Sequence, residues 1–251
     1  MTSVLVAAIV FTLVFGGALA GMVLQRVLPK DQLGPEAKDA IRLASGLLVT
    51  MTALVLGMLV SAANTSYQDR KNELAEMASN FVEVDRLLAS YGTETLGART
   101  ELRNLAQDSL DRIWRDRSIQ ESQLTPKDGG KLLYDQLQTL VPRGATQMAA
   151  KSSAITASMS LRHTYWLMFL SSEENSLSFP LLAVVVSWLT AIFLSFGLFA
   201  PRNSTAVVSL VVCAIAVSAA IFVIMAMYTP FSGVMKISPY PIRGALRQMG
   251  P

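Results

Sequence analysis

The sequence predicts an all-α polytopic membrane protein, with four transmembrane helices and a helical extramembrane region continuous with the second span. Three observations carry this expectation. The 251 residues are 52% hydrophobic and only 16% charged, with a mean hydropathy of +0.43, whereas soluble domains carry about 25% charged residues. Four apolar runs lack charge and approach the ~20 residues that a bilayer core requires. The second run continues into an amphipathic helical pattern without an intervening Pro or Gly, so one helix should leave the lipid unbroken.

The first span is expected at Val4–Leu24. Ala18-Leu19-Ala20 resembles a signal-peptide cleavage site, but no positive residue precedes the run and the apolar stretch continues past it, which favours a retained span. Gly16, Gly17 and Gly21 include a small-xxx-small pair that permits close approach of another helix. The connector Gln25–Arg42 is broken by Pro29, Gly34 and Pro35. Pro35, with Glu36 and Asp39 behind it, suits the first turn of the next helix, where a missing N–H costs nothing and negative charge meets the dipole.

A single helix is expected over Leu43–Tyr91, roughly 70 Å long at 1.5 Å per residue. Ala44–Ala63 forms its membrane half. Tyr67, Leu74, Met77, Phe81, Val84, Leu88 and Tyr91 recur at spacings of three, four and seven, the stripe of a helix packed on others. Gly92 is placed to end it. In the membrane half, Gly46, Thr50, Ala53, Gly57 and Ser61 share one small, mildly polar face. Such a face serves helix packing or lines a water-filled pore, and periodicity alone does not separate the two.

Helices are expected next over Thr93–Arg117, with Leu96, Leu102, Leu105, Leu110, Ile113 and Trp114 on the apolar side, then over Lys131–Val141 and Ala145–Leu170. A loop at Ser118–Gly130 separates the first two. On the last of them, Met148, Ile155, Met159 and Leu161 are the expected core contributors. Phe179–Phe199 and Ala206–Tyr228 are the third and fourth spans, joined by Pro201-Arg202-Asn203-Ser204 into a membrane hairpin with Ser204 as N-cap. From Thr229 the prolines and glycines predict an irregular tail. The organisation is therefore residues 1–63, spans one and two; 64–175, the helical extramembrane region; 176–228, the hairpin; and 229–251, the tail. Four spans put both termini and the central region on one side, but the Lys and Arg of the two sets of loops do not decide which side.

Several function classes are disfavoured. The single Cys213 and single His163 allow no internal disulfide and no Cys/His zinc cluster; no metal ligand set, cofactor or catalytic residue is expected, and the protein is not expected to be an enzyme. His163 reads as an interfacial residue beside Tyr165 and Trp166, and Cys213 as packing within the fourth span. A net charge of +3 with no nucleic-acid motif gives no reason to expect nucleic acid. No span contains Asp, Glu, Lys, Arg or His, which argues against a proton relay and leaves a passive pore open.

Two stretches carry a resemblance. Phe196-Gly197-Leu198-Phe199-Ala200-Pro201-Arg202-Asn203, followed after the fourth span by Pro230-Phe231-Ser232-Gly233, resembles a bacterial membrane family of unknown function described as bestrophin-like. Asp85-Arg86-Leu87-Leu88-Ala89-Ser90-Tyr91-Gly92 and Ala53-Leu54-Val55-Leu56-Gly57 look like the same family. The resemblance implies a relation to the bestrophins, pentameric chloride channels of the plasma membrane whose second helix lines the pore and whose helical domain and C-terminus are cytoplasmic. It makes Pro230, Phe231 and Gly233 the counterpart of the bestrophin Pro-Phe-Gly motif, with Ser232 inserted.

Two features of animal bestrophins are missing: the acidic cluster after that motif, since Val234–Pro251 holds no Asp or Glu, and the aromatic pore neck. Calcium gating by that route is therefore not implied. The expected function is an oligomeric anion channel in the cell's inner membrane. Thr50, Gly57 and Ser61 would line the passage and Leu54 would gate it by dewetting. The alternative is a non-conducting scaffold whose cytoplasmic helices dock a partner protein. Asp85 and Arg86, as sequence neighbours, should not face one another.

Overall fold

The computed structural model describes residues 2–29, 34–114, 131–174, 179–201, 203–231 and 233–250. About 88% of them are helical and none forms a strand. The described residues form eight α-helices in order: α1 (Thr2–Val27), α2 (Pro35–Tyr91), α3 (Leu96–Trp114), α4 (Lys131–Thr139), α5 (Ala145–Glu174), α6 (Phe179–Phe199), α7 (Ser204–Met227) and α8 (Tyr240–Gln248). α1, α2, α6 and α7 are each long and apolar enough to cross a bilayer. α2 begins at Pro35 and passes through Ala62–Tyr67 without a break. The expected loop at 118–130 lies outside the described residues, as does Arg202.

The chain divides into two compact units. The first comprises residues 1–67 and 176–229, the second 68–175 and 230–251. In the first unit, α1 packs against both α6 and α7. Val10, Val14 and Ala18 of α1 form one core with Val185, Leu189 and Phe193 of α6, Ala214 and Ile221 of α7, and Leu59 and Ala63 of α2. The crossing of α1 and α6 is a backbone-to-backbone contact. A Cβ on Gly197 would strike the carbonyl of Ala18, one on Gly21 the carbonyl of Leu194, and one on Gly17 would come within 2.9 Å of Thr190. The small pair expected to admit a neighbour is thus Gly17 with Gly21, and α6 is the neighbour. Gly16 faces open space.

In the second unit the α2 stripe is the core: Leu74, Met77, Phe81, Val84 and Leu88 are fully buried and Tyr91 nearly so. The buried sides of α3 and α5 differ from expectation. α3 buries Ala98, Leu102, Ala106 and Ser109 while Leu96 is exposed, and α5 buries Ala154, Ala157, Ser158, Leu161 and Tyr165 while Met148 and Met159 are exposed. Small residues allow close helix approach, so the buried side is set by fit and not by side-chain bulk.

Three further expectations are corrected. α7 is capped by Asn203, not Ser204: the Asn203 Oδ1 accepts from the Ala206 N–H at 2.9 Å, satisfying one of the first-turn donors. Cys213 is exposed on α7 and does not pack within the chain. The tail is not wholly irregular, because Tyr240–Gln248 is helical. Pro239 precedes that helix and Pro241 sits in its first turn, where no intrahelical N–H is needed, while Ile242 and Ala245 turn inward.

Candidate functional site

The candidate pore face lies in the first unit, as do Pro201 and Asn203, and the other described motif residues lie in the second. On α2, the line Ser45, Thr52, Leu59, Ala63 is buried in the first unit. Thr50, Leu54, Gly57 and Ser61 fall on another side of the helix and are exposed, Leu54 at 68%. A Cβ added at Gly46 or Gly57 would meet nothing within 4 Å. Among the described residues, the chain's own helices therefore do not cover this face. Only 11% of the most apolar window of α2 is buried inside the chain, against 44% for α6, so α2 offers most of its circumference to lipid or to other copies. Thr50 Oγ1 donates to the Leu47 carbonyl at 2.8 Å, so the hydroxyl is satisfied within its own helix in either surrounding.

In the second unit the end of α2 is built from motif residues. Gly92 adopts φ 129° and ψ −175°, a region open essentially to glycine alone, and this stops the helix. The carbonyls left over at that end find side chains. Thr95, itself buried, donates to Leu88 O at 2.7 Å, and Gln147 Nε2 on α5 donates to Tyr91 O at 3.0 Å. The Tyr91 hydroxyl is buried without a partner among the described residues.

Asp85 and Arg86 point to different surroundings. Arg86 is exposed, whereas Asp85 is buried and accepts from Arg99 of α3 in a two-pronged pair, Nε to Oδ1 at 2.7 Å and Nη2 to Oδ2 at 3.1 Å. That pairing matches the guanidinium fork and, with the charge of Asp85, holds the Arg99 guanidinium more firmly protonated than usual. The Gly250 N–H also donates to Asp85 Oδ2, at 3.4 Å. Beside it, Arg103 Nη1 donates to the carbonyls of Leu246 and Met249 at 3.3 and 3.2 Å, placing a cation at the C-terminus of α8 where the helix dipole favours it. Sequence reading named Asp85 but missed Arg99 and Arg103. The only signal available was the run of Arg on the exposed side of α3.

Pro230, Phe231 and Gly233 form a turn held to α3. Gly233 takes φ 93°, and the Pro230 carbonyl accepts from the Ile237 N–H at 2.8 Å. Phe231 meets the Trp114 ring edge-on at 5.9 Å between centroids, and Trp114 Nε1 donates to Ile237 O at 3.0 Å. Ser232 lies outside the described residues. Of the other joint residues, Pro201 accepts from the Asn203 N–H and Asn203 caps α7, as given above. Of the residues that carry the resemblance, Leu54 and Gly57 lie on the exposed α2 face, whereas those described here hold helices in place.

No curated protein and no solved structure matches the chain. The family model for the Bestrophin-like domain matches residues 12–242, a range that takes in Asp85, Gly92, Asn203 and the turn at Pro230, Phe231 and Gly233, and the chain therefore belongs to the bestrophin-like family.

Proposed function

We propose that the protein is a subunit of a homo-oligomeric anion channel in which α2 lines the passage. The observation that carries the proposal is the exposed α2 face of Thr50, Leu54, Gly57 and Ser61. It is hydroxyl-bearing and free of charge, and none of the described helices of its own chain lies over it. The family's relation to bestrophin channels supports the same reading. Around a symmetry axis such a face leaves room for ions beside Gly57, and a ring of Leu54 side chains closes the path by dewetting. On this reading the role is passive transport and not catalysis, in the inner membrane with the helical second unit cytoplasmic.

The test is chloride flux from proteoliposomes. Gly57→Leu narrows the passage and lowers flux, and Leu54→Ser wets the constriction and raises it, with subunit number unchanged in both. Equal flux in wild type and Gly57→Leu, no flux in any of the three, or a purified wild type that is monomeric would remove the reading.

A further inference from the structure

At the Pro35 end of the membrane half of α2, an open cleft of about 670 Å³ lies between α2, α6 and α7, within the size range of ligand pockets. Its lining is graded. Lys38 and Arg42 stand at one end, one turn apart on the same side of α2, and both are exposed with no ion-pair partner among the described residues. Ser45 and Ser195 come next, joined by a 2.8 Å hydrogen bond between their hydroxyls. Val49, Phe196 and Leu210 make the apolar wall.

The cleft is also placed at a defined depth. Arg42 is the last charge before the uncharged run of α2, and the lining includes Phe199, the last residue of α6, and Ala206 in the first turn of α7. Three spans end here, so the cations sit at headgroup level and the apolar wall at acyl level.

We infer that this cleft binds one anionic phospholipid, with its phosphate between Lys38 and Arg42 and an acyl chain along Val49, Phe196 and Leu210. Charge complementarity selects the occupant. Two unpaired cations at a membrane surface attract an acidic headgroup, a zwitterionic lipid brings no net charge to them, and a soluble anion would leave the apolar wall unused.

The inference is tested on the full chain in detergent by native mass spectrometry, with palmitoyl-oleoyl phosphatidylglycerol or phosphatidylcholine titrated in. Each surface cation contributes roughly fivefold to binding of an acidic lipid, so Lys38→Gln with Arg42→Gln weakens phosphatidylglycerol binding roughly 30-fold. Phosphatidylcholine binding changes little. Ser209 of α7 also lines the cleft, and Ser209→Phe, which fills it without altering charge, weakens phosphatidylglycerol binding as well. Lys236→Gln with Arg243→Gln removes as much charge elsewhere and leaves binding unchanged. The inference is overturned if wild type holds both lipids equally, if the Lys38/Arg42 variant retains phosphatidylglycerol like wild type, or if the control pair loses it to the same extent. It is equally overturned if the Lys38/Arg42 variant changes subunit number with lipid binding intact, because the cleft would then be a contact between copies.

Discussion

The pair between Asp85 and Arg99 offers the most direct test of how the second unit is held together. Its side chains are 7% and 18% exposed respectively. Removing one partner of a fully buried pair costs about 3–5 kcal/mol, because the other charge is left stranded. In Asp85→Ala the stranded group is Arg99, the more exposed of the two, whose flexible stem can carry its charge toward water. The expected loss is therefore about 2 kcal/mol, below that range. In Arg99→Met the stranded group is the more deeply buried carboxylate, left with the Gly250 N–H, and the loss should reach about 3 kcal/mol. Asp85→Ala with Arg99→Met strands no charge, so it should lose less than the sum of the singles, with a coupling energy of about 2 kcal/mol. Hydrogen exchange of the full-length protein in detergent reads this locally. Amides of α3 should exchange about 30-fold faster in Asp85→Ala, the equivalent of about 2 kcal/mol. Additive single and double variants, or unchanged protection in α3, would show that the pair holds nothing and refute the argument.

Two further outcomes follow from the packing. Gly197→Leu drives a side chain into the backbone at Ala18, which cannot yield as a side-chain end would; thermal melting in detergent should drop by the equivalent of about 3 kcal/mol or more, and an unchanged melting temperature would refute the close crossing. The Tyr165 phenol is raised above its ordinary pKa of 10.0, first by burial, with Asp108 adding to the rise and Arg112 opposing it. Because the folded state favours the neutral phenol, the stability it contributes is complete below pH 10 and is lost as pH climbs through the raised value. Wild type should accordingly lose thermal stability more steeply than Tyr165→Phe above pH 10, and parallel curves would refute that.

The parts of the fold that depend on local sequence were legible before the structure. An uncharged run of sufficient length has few alternatives to a span, and a three-four-seven stripe with no breaker predicts one continuous helix; both hold for α2. The buried sides of α3 and α5 were misread because hydropathy weights Leu and Met, whereas close-packed helices bury Ala98, Ala106, Ala154 and Ala157. α8 was missed because two prolines were read as breakers, although at a helix start they break nothing. Arg99 and Arg103 were invisible as partners for a different reason. A charged side chain on an amphipathic helix looks solvated until the chain returns, and Arg103 meets carbonyls 143 and 146 residues away.

Those distant donors share a pattern. Each helix C-terminus leaves carbonyls without partners, and at three of these ends in the second unit they are met by side chains from another helix. Gln147 of α5 serves α2, Lys151 of α5 reaches the carbonyls of Gln138 and Leu140 at the end of α4, and Arg103 of α3 serves α8. Several of the residues on which the family resemblance rests belong to the same class of joint: Gly197 at a crossing, Asn203 at a cap, Asp85 in a clamp, Gly92 and Gly233 at turns. A helix end satisfied by its neighbour cannot shift without stranding a carbonyl, so these joints hold the helices in register whatever the membrane half of α2 faces. It follows that these joints and the conduction question are physically separable, and of the resemblance stretches only Ala53–Gly57 bears on conduction. A chain could keep every joint while changing Leu54 or Gly57, and its conductance would change with its architecture intact. Recognition of the family thus explains the frame, and a claim about ion passage has to be won or lost on the exposed α2 face itself.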